Sequence, residues 1–200
     1  MVYFQVWGFQ IVQNFNIYPI KNLSGKMKKI NSLKKLLLLS CLIIISSCGS
    51  KNEVGDFQYT FDDLAGFVKD NPTLIKTNAH TGIYCIKADT AFVYSITFKM
   101  KLGEMSSKEI KQIKLSGWCR HANTDADGRL VLSIDSPEKT VYNESAAFKD
   151  FIKSNNEWTS FEKTFDVKSI NKKDFMCNIF LMNNGKSAAF LDDMDIKLIY

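Results

Sequence analysis

The chain has 200 residues, 46% hydrophobic and 24% charged, with 26 Lys plus Arg against 21 Asp plus Glu and a formal charge of +5. The excess is lopsided: six of the lysines precede Cys48 and no acidic residue does, so residues 48–200 carry 20 basic against 21 acidic side chains. The basic balance therefore belongs to the first 47 residues and gives no support for a nucleic-acid or other polyanionic partner.

Residues 1–26 match no leader pattern and read as an upstream mis-start with no domain, because Met27-Lys28-Lys29 makes an ordinary signal-peptide start. Lysines 26, 28, 29, 34 and 35 lead into the apolar run from Leu36 to Ile45, which is too short to cross a bilayer as a mature helix. Small residues then precede a cysteine. The string Ile45-Ser46-Ser47-Cys48-Gly49 resembles the cleavage site of bacterial lipoproteins, and the Lys-rich, Ile-rich leader is similar to the Bacteroidetes type. That resemblance implies a signal peptide at 27–47 and a lipid on the sulfur of Cys48. It also implies a membrane anchor in the cell envelope, at the outer membrane, with the leaflet left open. Residues 48–56 then form a tether, and 57–200 form one domain long enough to bury its own core.

Along that domain the hydrophobic period is two. Short helical turns are expected only at 63–70 and 146–153. Phe92, Tyr94, Ile96, Phe98 and Met100 alternate with Val93, Ser95, Thr97 and Lys99, predicting a strand with one buried face. Ile113, Leu115 and Cys119 alternate with Lys114, Ser116, Trp118 and Arg120; Leu130, Leu132 and Ile134 follow in the next strand. Phe161, Phe165 and Val167 predict another, and Phe175, Cys177, Ile179 and Leu181 point inward opposite Asn178, Phe180 and Met182. Ala188, Phe190, Met194 and Ile196 share the inward face of the last strand. Turn signals at Asn71-Pro72, Asp127-Gly128, Ser136-Pro137, Asn155-Asn156 and Asn183-Asn184-Gly185 separate these runs. The fold class expected is all-β, a sandwich of two antiparallel sheets. Cys85, Cys119 and Cys177 are an odd set, read as free core thiols, with a bridge between two of them left open.

Five strings occur in a telling order: Phe61-Asp62, Ala79-His80-Thr81-Gly82-Ile83-Tyr84, Leu115-Ser116-Gly117-Trp118, Glu157 to Val167, and Phe190-Leu191-Asp192-Asp193-Met194-Asp195-Ile196. Together they resemble carbohydrate-binding modules of the galactose-binding-like jelly-roll superfamily. The resemblance implies a jelly-roll β-sandwich and a noncatalytic role in capturing glycan or cell-surface material. It further implies a structural calcium ion between an early acid and a late one, here Asp62 and Asp193, with Asp62 standing where the family has Glu and Thr81 replacing Ser. The residue-level alternative is that Asp62 and Asp63 cap a turn while Asp192, Asp193 and Asp195 are solvated charges.

Sugar recognition needs an aromatic face against the apolar side of a pyranose and polar groups for its hydroxyls. Trp118, Arg120, Asn178 and Phe180 are the expected ligand contacts, since their parity places them opposite the core, and two such rows would line a concave sheet face. The competing reading puts Trp118 in the core after a bulge at Gly117, with Phe180 under a loop. Tyr94 and Trp158 are expected to finish the core. Asn123-Thr124-Asp125-Ala126-Asp127-Gly128 has calcium-loop spacing but lacks the closing Glu, and reads as a hairpin loop. With two histidines, no orienting acid beside the Cys119/His121 pair and no phosphate loop, the chain is not expected to be an enzyme. An envelope assembly or protein-interaction subunit that binds no sugar is the alternative role.

Overall fold

The computed structural model describes residues 3–6, 9–11 and 56–200, except 69 and 171. The expected leader at 27–47, the lipidation site Cys48 and most of the tether lie outside these residues. Among the described residues no helix is long and apolar enough to cross a membrane.

Twelve strands appear in the described chain: β1 (Tyr3–Val6), β2 (Phe9–Ile11), β3 (Asp56–Tyr59), β4 (Leu74–Ile75), β5 (Cys85–Ala88) and β6 (Thr97–Lys101) come first. They are followed by β7 (Gln112–His121), β8 (Gly128–Asp135), β9 (Thr140–Ala147), β10 (Thr159–Asp166), β11 (Met176–Asn183) and β12 (Ala189–Ile199). Helix is limited to single turns such as Asp63–Gly66, Leu102–Met105 and Phe148–Asp150. One sheet runs β2-β1-β6-β11-β8-β9 and the other β10-β7-β12-β5-β4, with β3 also on β12; every pairing is antiparallel. From β5 onward every connection except the β8–β9 hairpin changes sheet. The chain is a jelly-roll β-sandwich.

The alternation predicted for β7, β8, β10 and β11 places Ile113, Leu115, Leu130, Leu132, Ile134, Phe165, Ile179 and Leu181 between the sheets, all essentially inaccessible. Side chains of this kind each contribute about 1.5–3 kcal/mol on burial, which holds the two layers face to face. Cys85, Cys119 and Cys177 are all free and buried. β9, absent from the expected strands, carries Tyr142. β1 pairs with the β6 edge through Tyr3–Lys99, Phe4–Phe98 and Gln5–Thr97, inside the stretch read from sequence as an upstream mis-start.

Two bulges reverse the expected parity. Ile179 faces Phe98, yet Met182 faces Tyr94 rather than Ser95, so one extra residue sits between Tyr94 and Phe98. Ser95 is the cause: its Oγ accepts the Leu181 N–H at 2.9 Å while its own N–H donates to the Leu181 carbonyl. Tyr94 therefore swings to the outer face and is 60% exposed, not core as expected. In β12 the register against β7 slips between Asp192 and Asp195, with Asp193 at φ +47°. Phe190 consequently shares the outer face with Asp192, correcting its inward assignment, whereas Met194 and Ile196 point in. Gly117 faces this bulge, and a Cβ there would lie 3.0 Å from the Asp192 carbonyl oxygen.

Candidate functional site

The four expected ligand contacts divide between the two sheets. Asn178 and Phe180 lie on β11, and Trp118 and Arg120 on β7, so the structure does not bring them onto one face.

On the outer face of the β6-β11-β8-β9 sheet, Tyr94 meets Phe180 edge-on, with ring centroids 5.8 Å apart and planes inclined by 70°. Across the same face Tyr94, Met182 and Arg129 are successive cross-strand neighbours. The Arg129 guanidinium is held by the Asp127 carboxylate at 3.1 Å, which presents donors and an acceptor side by side. Two strand spacings, ~10 Å, separate this pair from Tyr94. Asn178 is less available than expected: it is buried, and its Nδ2 donates to Asp135 Oδ2 at 2.8 Å and to Ser133 Oγ at 3.3 Å. Tyr94 was missed because its strand pattern counts it as core, and the bulge that exposes it depends on a hydroxyl–amide contact 86 residues apart in sequence.

The opposite outer face is roofed by the turn at 77–83. The His80 ring stacks on Trp118 with centroids 3.8 Å apart and planes 14° apart, so Trp118 is outward but covered. Trp158, expected in the core, also lies on this face; its Nε1 donates to the Asn78 carbonyl at 2.9 Å. Arg120 is 5% exposed, with its guanidinium carbon 4.2 Å from the Phe190 ring centroid and 5.1 Å from that of Trp158. Nη1 donates to Asn156 Oδ1 at 2.9 Å. Burial pulls the Arg120 pKa below its ordinary value.

Asp62 and Asp193 do converge on one turn, and their surroundings decide what they hold. Asp62 Oδ1 accepts the Ile83 N–H at 2.9 Å; Asp193 accepts the Thr81 hydroxyl at 2.6 Å and contacts His80 Nδ1 at 2.6 Å. Asp192 accepts the N–H groups of His80, Thr81 and Asp193. Calcium requires six to eight oxygens aimed at one point, whereas here the turn aims N–H and O–H donors at the carboxylates. This donor set does not fit a calcium ion, and among the described residues no three His, Cys, Asp or Glu side chains form a metal-holding group. Asp192 is fully buried, and that burial pushes its carboxyl up to about 6. The Asn123–Gly128 segment is not the expected hairpin loop: it crosses from β7 in one sheet to β8 in the other and is tied by Asp127 N–H to Asn183 Oδ1. His121 is buried with its Nε2 accepting the Gly128 N–H at 3.2 Å, which gives it a structural partner.

Neither a family model nor a curated protein matches the sequence. Solved structures similar to the chain include carbohydrate-binding modules and the enzymatically active domain of bacteriophage CBA120 tailspike protein 4. The CBM22-2 xylan-binding domain of Paenibacillus barcinonensis Xyn10C is 13% identical, with 72% of this chain and 99% of that one covered at a TM-score of 0.48. The C-terminal family 22 module of Clostridium thermocellum Xyn10B is 8% identical, covering 71% and 91% at 0.46. TmCBM61, solved with β-1,4-galactotriose, is 13% identical, covering 63% and 81% at 0.37. At these identities and TM-scores the likeness transfers neither a ligand nor a site residue.

Proposed function

We propose that this protein is a noncatalytic glycan-binding module that captures polysaccharide on the outer face of β6, β11 and β8, and that a lipid on Cys48 tethers it to the cell envelope. The observation that carries the reading is Tyr94, a large aromatic side chain 60% exposed on a sheet face and braced by Phe180. A rigid, exposed aromatic ring offers apolar area to a pyranose at little entropic cost, and the Arg129–Asp127 pair across the face supplies directed hydrogen bonds to hydroxyls further along a chain. The tether reading rests on the leader and on Ser46-Ser47-Cys48.

Retention on an array of neutral polysaccharides tests the site. Tyr94→Ala should weaken retention about tenfold or more while leaving the melting temperature nearly unchanged, since the ring is 60% exposed and meets Phe180 edge-on. Unaltered retention would overturn the assignment of this face. Mass spectrometry of the cell-derived protein tests the anchor: a diacylated peptide beginning at Cys48 is expected.

A further inference from the structure

We infer that Arg120 forms a second, anion-selective subsite on the opposite sheet, which takes the carboxylate of an acidic sugar against Trp158. Ion pairs among the described residues include His80–Asp193, Lys87–Asp89, Lys114–Glu162 and Arg129–Asp127. None involves Arg120. Its guanidinium lies against the Phe190 and Trp158 rings, its Nε is buried without a partner, and its hydrogen-bonded neighbour is a neutral amide, Asn156 Oδ1. Buried charges are ordinarily paired, because desolvating a cation is costly and a ring face returns only part of that cost. Asp192, on the same face, makes no ion pair with Arg120; its oxygens accept the backbone N–H groups of His80, Thr81 and Asp193 instead.

The geometry says how an anion enters. Asn156 sits on the exposed stretch 153–157 at φ +62°, so its side chain is a displaceable plug over the guanidinium. A carboxylate replacing the amide oxygen would meet Nη1 directly and bridge to Nη2 end-on, a fork that guanidinium offers to carboxylates. The half-buried Trp158, fixed by its bond to the Asn78 carbonyl, stands beside it as an apolar wall for a pyranose ring. A uronic acid carries both features at once. The subsite does not rest on the Tyr94 face and stands or falls separately.

The probe is trigalacturonate, compared with its methyl ester, titrated into the full chain and read by calorimetry and tryptophan fluorescence. The acid is expected to bind about tenfold or more tighter than the ester, with a change in emission. Equal binding of the two, or no binding of the acid, overturns the proposal. Asn156→Asp places a carboxylate where the amide now contacts Nη1 and keeps a residue type that tolerates positive φ. It should raise the melting temperature and abolish the acid preference; an unchanged or lower melting temperature would show that the Arg120 charge is already compensated. Tyr94→Ala should leave trigalacturonate binding intact, and loss of binding in that variant would place the anion on the other face.

Discussion

His80 lies flat on Trp118, ring centroids 3.8 Å apart, while its Nδ1 stands 2.6 Å from Asp193 Oδ2. One histidine thus ties the turn at 77–83 both to an aromatic on β7 and to a carboxylate at the β12 bulge. The first prediction follows from that double contact.

Trp118→Ala should act on stability rather than on ligand capture. Removing the indole takes away the surface on which His80 rests, at a cost of about 2 kcal/mol, which for a domain of this size lowers the melting temperature by roughly 4–8 °C. Thermal unfolding paired with polysaccharide retention of the folded protein checks this. A variant with unchanged melting temperature and lost retention would restore Trp118 to the role expected from its strand parity.

Chelation should leave the domain untouched. Asp62 Oδ1, Asp192 Oδ2 and Asp193 Oδ1 accept N–H and O–H donors of the His80–Ile83 turn, so the turn itself satisfies these oxygens in place of a cation. A melting temperature within about 1 °C with and without chelator is expected, whereas a bound ion well above its dissociation constant would contribute several degrees. A clear drop in EDTA would return calcium to Asp62 and Asp193.

Asp192 gives the fold an unusual pH slope. Its carboxyl is raised from 3.8 in the unfolded chain to about 6 by burial, so between these values the native state holds the extra proton. The contribution to stability is therefore fully present below about pH 4 and lost as pH rises through about 6, an effect of about 1–3 kcal/mol. Asp192→Asn loses an acceptor at every pH but lacks this slope. Urea unfolding near pH 4 and pH 7 should show the wild type losing more stability than the variant over that interval; parallel losses would sink the prediction.

Gly82 closes the same turn at φ +63°, and a Cβ there would lie 2.0 Å from Asp62 Oδ2. Gly82→Ala must therefore strain the backbone and break the Asp62–Ile83 hydrogen bond together, for a loss of about 2–3 kcal/mol by chemical denaturation. Asp62→Asn tests the division: it removes the charge but retains an acceptor for the Ile83 N–H, and should cost clearly less.

What the sequence shows and hides follows from these particulars. Alternation in Ile113–Cys119, Leu130–Ile134 and Phe175–Leu181 reveals strands because a half-buried sheet imposes period two on them directly. Parity says which side of its own sheet a residue occupies, but not which sheet, so Trp118 with Arg120 and Asn178 with Phe180 looked like partners. Pairing order is a non-local property. The bulges at Ser95 and Asp193 are similarly silent: one extra residue flips every side chain beyond it, which moved Tyr94 and Phe190 outward. Gly117 did signal a bulge, and the structure puts the extra residue on the strand facing it. The convergence of Asp62 and Asp193 on the His80 turn was legible by family resemblance, whereas the protons that point at them depend on how the turn folds.

The bulge that exposes Tyr94 is held by two hydroxyls, Ser95 Oγ on the Leu181 N–H and Thr73 Oγ1 on the Ile96 N–H, and the first permits a test linking the bulge to capture. Ser95 Oγ accepts the buried Leu181 N–H that regular pairing would give to a backbone carbonyl, and this substitution of acceptors keeps the extra residue in place. Ser95→Ala leaves that N–H orphaned at a cost of about 1–3 kcal/mol, which the strand can recover by sliding into register with β11. Sliding carries Tyr94 off the outer face. Retention on polysaccharide should then fall although Tyr94 is intact, while Ser95→Thr, which keeps the acceptor, should retain both stability and binding. If Ser95→Ala loses stability but binds as well as the wild type once folded, the bulge is not what presents the ring.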